Sequence, residues 1–153
     1  MIQDWKSPFL RIPCSEYIAA NDLAFAIYDR FPVSNGHALI ITKRLLATWF
    51  DASDAEQAAL ISLVNEVKHL LDERLRPKPD GYNVGFNSGI AAGQTVPHVH
   101  IYVIPGYHGD VADPTVGVRH VIADKAKSPT WLGRKPSSNP IWKRSSARAS
   151  SIS

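Results

Sequence analysis

Two histidines and a tyrosine at alternate positions are the residues of this chain best placed to do chemistry. His98, His100 and Tyr102 lie in the stretch GQTVPHVHIYVIP, where polar side chains alternate with valine and isoleucine. From Val96 onward this alternation predicts a strand that presents the imidazoles and the phenol on one face and buries aliphatic side chains on the other. A glycine- and amide-rich run, Gly93-Gln94-Thr95, precedes the strand and predicts an anion site, with phosphate as the leading ligand.

The residue types alone leave three interpretations of the histidine pair open. Both imidazoles could be buried core groups with satisfied hydrogen bonds. A metal site could use His98 and His100 with His37 or His108 completing it, although no carboxylate or cysteine lies at ligand spacing. Alternatively, a neutral imidazole could attack a phosphorus atom without prior deprotonation and form a phosphoramidate that water cleaves. That chemistry needs donors around the phosphoryl oxygens, which the run before the strand could supply.

The composition is that of a globular protein with one domain. With 153 residues, 44% of them apolar and 20% charged, the chain is long enough to bury a core of its own. No apolar run approaches the roughly 20 residues that a membrane-spanning helix needs. The first six residues have no signal-peptide core, and the single cysteine, Cys14, suits a reducing compartment. We therefore expect a cytoplasmic protein that does not enter a membrane.

The charges are distributed unevenly along the chain. All 14 acidic residues lie at or before Asp124, whereas residues 125–153 contain seven Lys or Arg and no acid. We therefore predict a basic extension, rich in Ser, Pro and Arg, over residues 123–153 after a folded domain at 1–122. This extension could bind nucleic acid or a partner, or be solvated without a partner. Trp131 and Trp142 would suit docking on the body or on a second subunit.

The segments before residue 75 predict a hairpin followed by one long helix. Residues 23–28 and 37–42 are rich in aliphatic and aromatic side chains, and the turn-forming pair Asn35-Gly36 separates them. Ser53 and Glu56 then have the spacing of a capping box. Apolar residues follow at helical spacing: Leu60, Ile61, Leu63, Val64, Val67, Leu70 and Leu71.

A second pair of strands is predicted after the helix, which Pro77 and Pro79 end. Residues 82–86 alternate Tyr, Val and Phe with Asn and Gly, and a loop at 87–95 leads from them into the histidine strand. Strands in adjacent pairs around one long helix predict the α+β class with an antiparallel sheet.

The residues around the two histidines resemble a known family. His98-Val-His100-Ile-Tyr102-Val-Ile is similar to the motif of the histidine triad (HIT) family, His-φ-His-φ-His-φ-φ, in which φ is apolar. Other segments between residues 7 and 122 are similar to bacterial HIT hydrolases: NDLA at 21–24, DRFPVS at 29–34, GH at 36–37, WF at 49–50, GYNVG at 81–85 and GYHGD at 106–110. The resemblance implies an HIT-like fold, with a five-stranded antiparallel sheet, one long helix and a shorter one in two layers.

The resemblance also implies a mechanism in two steps. His100 would attack the α-phosphate of a nucleotide conjugate, and water would hydrolyse the nucleotidyl-histidine, while the carbonyl of His98 holds the Nδ1 proton of His100. Other residues fall at family positions: Asp29 for the ribose hydroxyls, Asn87, Gln94 and Thr95 for phosphate oxygens, and His37 as a supporting histidine. The expected protein is a homodimeric hydrolase of diadenosine polyphosphates or related adenylyl conjugates that needs no metal or other cofactor.

Two departures from the family pattern bear on this expectation. Tyr102 stands where the motif has its third histidine, and a phenol with a pKa near 10 is a poor proton shuttle at neutral pH. Branches of the superfamily that transfer nucleotidyl groups have glutamine there, so a nucleotidyltransferase or phosphorylase is an alternative to a hydrolase. A catalytically weak purine-nucleotide-binding protein is another. Gly106 replaces a common arginine and removes a positive charge near the polyphosphate path.

Overall fold

The computed structural model describes residues 7–125 and has an α+β architecture. The elements are β1 (Ala19–Ala20), β2 (Ala24–Tyr28), β3 (Ala38–Thr42), helix α1 (Asp54–Arg74), β4 (Gly81–Gly85) and β5 (His100–Gly106). The five strands form one antiparallel sheet in the order β1-β2-β3-β5-β4. The five-stranded sheet and the long helix confirm the predicted fold. The expected shorter helix is absent as an α-helix from residues 7–125, where the other helical segments are 3-10 turns of three or four residues.

Strands β2 and β3 form the predicted hairpin. Ala24 pairs with Thr42 and Tyr28 pairs with Ala38, so the two strands are joined across their full length. Gly36 ends the turn with φ +87°, a conformation that other residues rarely adopt. A side chain at this position would also collide with Leu75 at the end of α1.

Helix α1 begins at the predicted capping box. The Ser53 Oγ accepts a hydrogen bond from the Glu56 amide at 3.2 Å, and the Glu56 carboxylate accepts one from the Ser53 amide at 2.8 Å. The same carboxylate accepts two bonds of 2.8 Å from the guanidinium of Arg44, which follows β3. These contacts fix the start of the helix relative to the end of the hairpin.

One face of the sheet packs against a narrow stripe of α1. Four helix residues are fully buried on it: Leu60, Leu63, Val67 and Leu71. Alanines of β2 and β3 leave room for these leucines, and Ile101 and Val103 of β5 complete the core. Ile61, which we expected on the buried face, is instead 51% exposed. Its position lies about 100° around the helix from Leu60, outside the stripe that faces the sheet.

The opposite face of the sheet is covered by the segment that precedes β1. Phe25, Ile27, Leu39 and Ile41 form a second apolar cluster on this face, and Phe9 and Ile12 of the preceding segment close it. Because side chains alternate along β5, its other set, His100 and Tyr102, faces this second cluster. The sheet therefore separates an apolar core from the face that carries the candidate chemistry.

The chain divides into two compact units, of which the structure describes residues 7–112 and 113–125. The second unit contains short 3-10 turns at Pro114–Val116, Val118–Val121 and Ala123–Lys125. No helix between residues 7 and 125 combines the length and the apolar character needed to cross a membrane. Most of the predicted basic extension, including Trp131 and Trp142, lies outside the described residues, and its boundary at residue 123 stays a prediction.

Candidate functional site

The two histidines differ in position more than their spacing predicts. Strand β5 begins at His100 rather than at Val96, and residues 96–98 form a bend. Pro97 has no N–H to give to a strand ladder, which favours the bend. After it, the Val99 amide donates to the Leu46 carbonyl at 2.8 Å. The predicted strand is therefore too long at its start, since His98 precedes β5, whereas the two imidazoles do lie on one side, where both contact Phe9.

The ring of His98 is a fully buried structural group. Its Nε2 lies 2.7 Å from the carbonyl oxygen of Thr42, which can only accept, so Nε2 carries the proton. Its Nδ1 lies 2.7 Å from the Ser7 hydroxyl and accepts a hydrogen bond from it. Burial lowers the pKa of His98, so the ring stays neutral. His98 is therefore a buried core histidine with both ring nitrogens hydrogen-bonded, whereas His100 is not.

His100 has one ring nitrogen engaged and one available. Its Nδ1 lies 2.7 Å from the backbone carbonyl oxygen of His98, so Nδ1 carries the proton and donates it. This tautomer leaves Nε2 unprotonated, with the lone pair that a nucleophile needs. The ring of Phe9 meets the imidazole edge-on, with the centroids 5.3 Å apart, and restricts its orientation. The imidazole of His100 is half-buried and lines a cleft.

The cleft beside His100 has the size of a small-molecule site. Its volume is about 430 Å³, within the range of small-molecule pockets. Most of the lining side chains are apolar: Pro8, Phe9, Ile12, Ile27, Phe31, Leu39 and Val96. Four polar residues complete the lining: Asp29, Arg30, Thr95 and His100. The structure thus brings together three of the predicted site residues, Asp29, Thr95 and His100. Sequence reasoning missed the wall contributed by residues 8–12.

Asp29 is held in place by the turn that follows β2. Its Oδ1 accepts a hydrogen bond of 2.8 Å from the Phe31 amide, and its Oδ2 lies 3.5 Å from Nε2 of His37. Nδ1 of His37 accepts from the Val33 amide at 3.3 Å, so Nε2 carries the proton that faces the carboxylate. Burial lowers the pKa of His37, and the charge of Asp29 opposes this shift. Nε2 of His37 makes no hydrogen bond within the described residues, so His37 lies beside Asp29 without a bond to it and is not among the residues that line the cleft.

Gln94 and Asn87 hold the loop that carries Thr95. The Gln94 amide donates to the carbonyls of Ala47 at 2.6 Å and Val96 at 3.0 Å, and accepts from the Gly89 amide at 2.7 Å. Both of its N–H groups are therefore engaged, and none is left for a phosphate oxygen in this geometry. Asn87 is exposed and donates to the Gly93 carbonyl at 3.2 Å. The Gln94 amide thus positions the loop, whereas the Asn87 side chain remains accessible.

Tyr102 lies two residues beyond His100 on the same face of β5. It is half-buried against the second apolar cluster, and its register partner on β4 is Gly85. A Cβ at Gly85 would lie 2.6 Å from the phenolic oxygen, so glycine at this position provides the space for the ring. His108, the other histidine considered for a metal site, is exposed and lies 3.9 Å from Asp80. Among residues 7–125, no three His, Cys, Asp or Glu side chains are grouped to hold a metal ion.

Comparison with known proteins identifies the family. The model of the HIT domain matches residues 13–109, which is more than half of the chain and includes His37, His98 and His100. The chain belongs to the HIT family.

Several relatives with named activities match the same domain. An adenosine 5'-monophosphoramidase of Schizosaccharomyces pombe is 38% identical over 61% of this chain and 65% of its own length. A bis(5'-nucleosyl)-tetraphosphatase (asymmetrical) of the same organism is 29% identical, over 65% of this chain and 53% of the relative. An AP-4-A phosphorylase of Mycobacterium tuberculosis is also 29% identical, over 67% and 55%. The chain spans less than two thirds of the length of these relatives.

A solved structure confirms the fold. The crystal structure of the Caenorhabditis elegans NitFhit protein superimposes with a TM-score of 0.61 at 30% identity, over 75% of this chain and 26% of that one. The sheet with one main helix is thus shared with proteins of the family.

Proposed function

We propose that this chain is a nucleotidyl hydrolase that cleaves dinucleoside polyphosphates or related adenylyl conjugates through His100. One observation carries the proposal. The backbone carbonyl of His98 fixes the proton of His100 on Nδ1, which leaves Nε2 free on a cleft that Asp29 and Thr95 also line. A neutral imidazole with an oriented lone pair, the Thr95 hydroxyl and a carboxylate suited to ribose hydroxyls together match a nucleoside phosphate.

The reaction would proceed by two displacements at the α-phosphorus. In the first, Nε2 of His100 forms a P–N bond while the bond from phosphorus to the leaving-group oxygen or nitrogen breaks. In the second, water attacks the same phosphorus and the P–N bond breaks, one proton of the water passes to solvent and the other stays on the phosphate, and the nucleoside monophosphate leaves with His100 neutral again. The His98 carbonyl stabilises the imidazolium that exists between the two steps, because it accepts the Nδ1 proton throughout.

The apolar wall supports a nucleoside as the part of the substrate that is held. Phe9, Ile12 and Ile27 offer flat and aliphatic surfaces that suit the faces of a base, and Asp29 lies on the same cleft. The carboxylate of Asp29 accepts hydrogen bonds but donates none, as binding to a ribose diol requires. The names of the relatives support adenosine-containing substrates, and we propose a purine nucleotide on that basis.

A nucleotidyltransferase or phosphorylase is the second candidate, and Tyr102 favours it. A phenol next to His100 is a weak acid at neutral pH, so leaving groups that need a proton would depart slowly. The relative named AP-4-A phosphorylase supports phosphate as an alternative acceptor of the nucleotidyl group. If the natural protein has no useful turnover, it would be a purine-nucleotide-binding protein in which Asp29 and the apolar wall hold the ligand.

We also propose a homodimer that operates in the cytoplasm. Strand β4 is at the edge of the sheet, and its Val84 is 46% exposed. Ile61 on the outer face of α1 is exposed as well. An open strand edge and an apolar helix position are features that a second copy of the chain would cover. The lone, exposed Cys14 supports a reducing compartment.

Chromatography of the products from diadenosine tetraphosphate tests the function. We expect the wild-type protein to convert it with water into AMP and ATP, and His100→Ala to be inactive. His69→Ala, at an exposed histidine of α1, is the matched control and should keep full activity. With added phosphate, formation of ADP and ATP in place of AMP and ATP would favour the phosphorylase. Equal turnover by His100→Ala and wild type would rule out both.

A further inference from the structure

We propose that Ser7 is a positioning residue for the nucleophile and acts on His100 through the imidazole of His98. The inference rests on the proposed function, since it concerns the tautomer of the histidine that attacks phosphorus. Ser7 lies 91 residues before His98 in the chain, and the hydroxyl of Ser7 lies 2.7 Å from Nδ1 of that ring. Neither the family motif nor the spacing of the histidines points to this serine.

The direction of the hydrogen bond follows from the groups around the ring. Thr42 offers His98 a carbonyl oxygen, so the single proton of the neutral ring must be on Nε2. Nδ1 then has only a lone pair, and the Ser7 hydroxyl must donate to it. The same oxygen accepts a hydrogen bond of 3.3 Å from the Phe9 amide. Ser7, Thr42 and His98 are all fully buried, so bulk water does not reach any of these partners.

This pair of hydrogen bonds holds the part of His98 that His100 uses. With both ring nitrogens bonded, the side chain of His98 cannot rotate, and its peptide group is fixed in the bend before β5. The carbonyl of that peptide accepts the Nδ1 proton of His100 at 2.7 Å. Without the Ser7 hydroxyl, Nδ1 of His98 would be a buried lone pair with no donor, and the ring would lose one of its two anchors. The carbonyl would then hold the His100 proton less firmly.

Ser7 also links the nucleophile to the wall of the cleft. It caps the 3-10 turn Pro8–Arg11, which places Phe9 against the rings of both histidines, at centroid distances of 5.6 and 5.3 Å. Pro8 and Phe9 of this turn line the cleft. The hydroxyl therefore holds the segment that would contact the nucleoside and the ring that orients the nucleophile.

Nitrogen-15 spectra of the imidazoles test the proposal without any turnover. In the wild-type protein we expect the proton of His98 on Nε2 and that of His100 on Nδ1. In Ser7→Ala, the resonances of His100 should shift toward a mixture of the two tautomers. A proton on Nδ1 of His98 in the wild type would overturn the proposal, and so would unchanged His100 resonances in Ser7→Ala. If Ser7→Ala does not fold, Ser7→Cys takes its place, because a thiol is a weak donor of similar shape.

Steady-state kinetics provide the second test. We expect Ser7→Ala to lower kcat roughly tenfold, as the loss of one buried hydrogen bond would, with KM within about twofold of wild type. Ser34→Ala is the matched control, because its buried hydroxyl has no partner among the described residues, and it should leave both constants unchanged. An equal loss in the two variants would mean that Ser7 has only a packing role. If no nucleotide is turned over at all, the proposed function fails, while the spectra still decide the role of Ser7.

Discussion

The two faces of the sheet use the same strands for different purposes. On the face toward α1, β5 contributes Ile101 and Val103 to a core closed by leucines. On the opposite face it contributes His100 and Tyr102, and His100 lines a cleft whose wall includes Pro8, Phe9 and Ile12. The alternation of a strand thus lets one face supply stability and the other supply chemistry, with no residue of β5 shared between them.

The largest expected effect is on the face of the sheet that packs against α1. Leu63→Ala should reduce the free energy of unfolding by about 2–5 kcal/mol, because Leu63 is fully buried and its loss leaves a cavity. Urea unfolding measures this change. Leu45→Ala, at an exposed leucine, is the control and should cost much less. Turnover of the folded fraction should not change in either variant. A loss of turnover without a loss of stability would show that the faces are not independent.

Replacement of Tyr102, on the face of the sheet that carries the cleft, should change turnover. We expect Tyr102→His to raise hydrolysis of an adenosine phosphoramidate about 10²-fold, because an imidazole can protonate an amine leaving group at neutral pH. The rate of hydrolysis of diadenosine tetraphosphate should change by less than about threefold, because its phosphate leaving group depends less on protonation than an amine does. Tyr102→Phe serves as the comparison for loss of the hydroxyl alone. An unchanged rate with the phosphoramidate would mean that the phenol is a competent replacement for the third histidine.

Removal of the charge of Asp29 should weaken substrate binding. Asp29→Asn is expected to raise KM about tenfold with little change in kcat, since a charged acceptor for ribose hydroxyls is lost. A substrate that lacks both ribose hydroxyls should show the same increase with the wild-type protein and no further increase with the variant. Asp22→Asn, at an exposed position, is the control. If KM rises further when Asp29→Asn is combined with that substrate, the ribose hydroxyls do not bind at Asp29.

The smallest expected effect concerns the anchor between the hairpin and α1. Hydrogen bonds from Arg44 and Ser53 lower the pKa of Glu56 from 4.5 to about 2, so the contribution of Glu56 to stability is complete above pH 4.5 and disappears as the pH falls toward 2. Glu56→Gln should lower the free energy of unfolding by about 1 kcal/mol at pH 7 and should reduce the loss of stability at acid pH. Thermal unfolding between pH 2 and 7 measures both. An unchanged acid dependence in the variant would exclude Glu56 as its source.

Local patterns predicted the elements that depend on neighbours in sequence. The hairpin with Asn35-Gly36, the capping box of α1 and the alternation of β5 each involve residues within a few positions of one another. The strand order and the narrow stripe that leaves Ile61 exposed depend on tertiary packing, which spacing does not encode.

The candidate site was predictable only where the motif itself carries the chemistry. The role of His100 and its contact with the His98 carbonyl were implied by the resemblance to the family motif, and the structure contains that contact. The Ser7 hydroxyl on His98 and the Gln94 amide on Ala47 join residues 91 and 47 positions apart, and no local rule pairs them. The burial of the His98 ring was missed because strict alternation was extended across Pro97, where the chain bends.

The central claim about the face that carries the cleft is that His100 forms a covalent intermediate. Intact-protein mass should be recorded shortly after mixing with diadenosine tetraphosphate, followed by peptide mapping of any adduct. We predict an increase of one adenylyl group, located on His100 and absent from His100→Ala. Product formation without any adduct on histidine, or an adduct that survives in His100→Ala, would contradict the account.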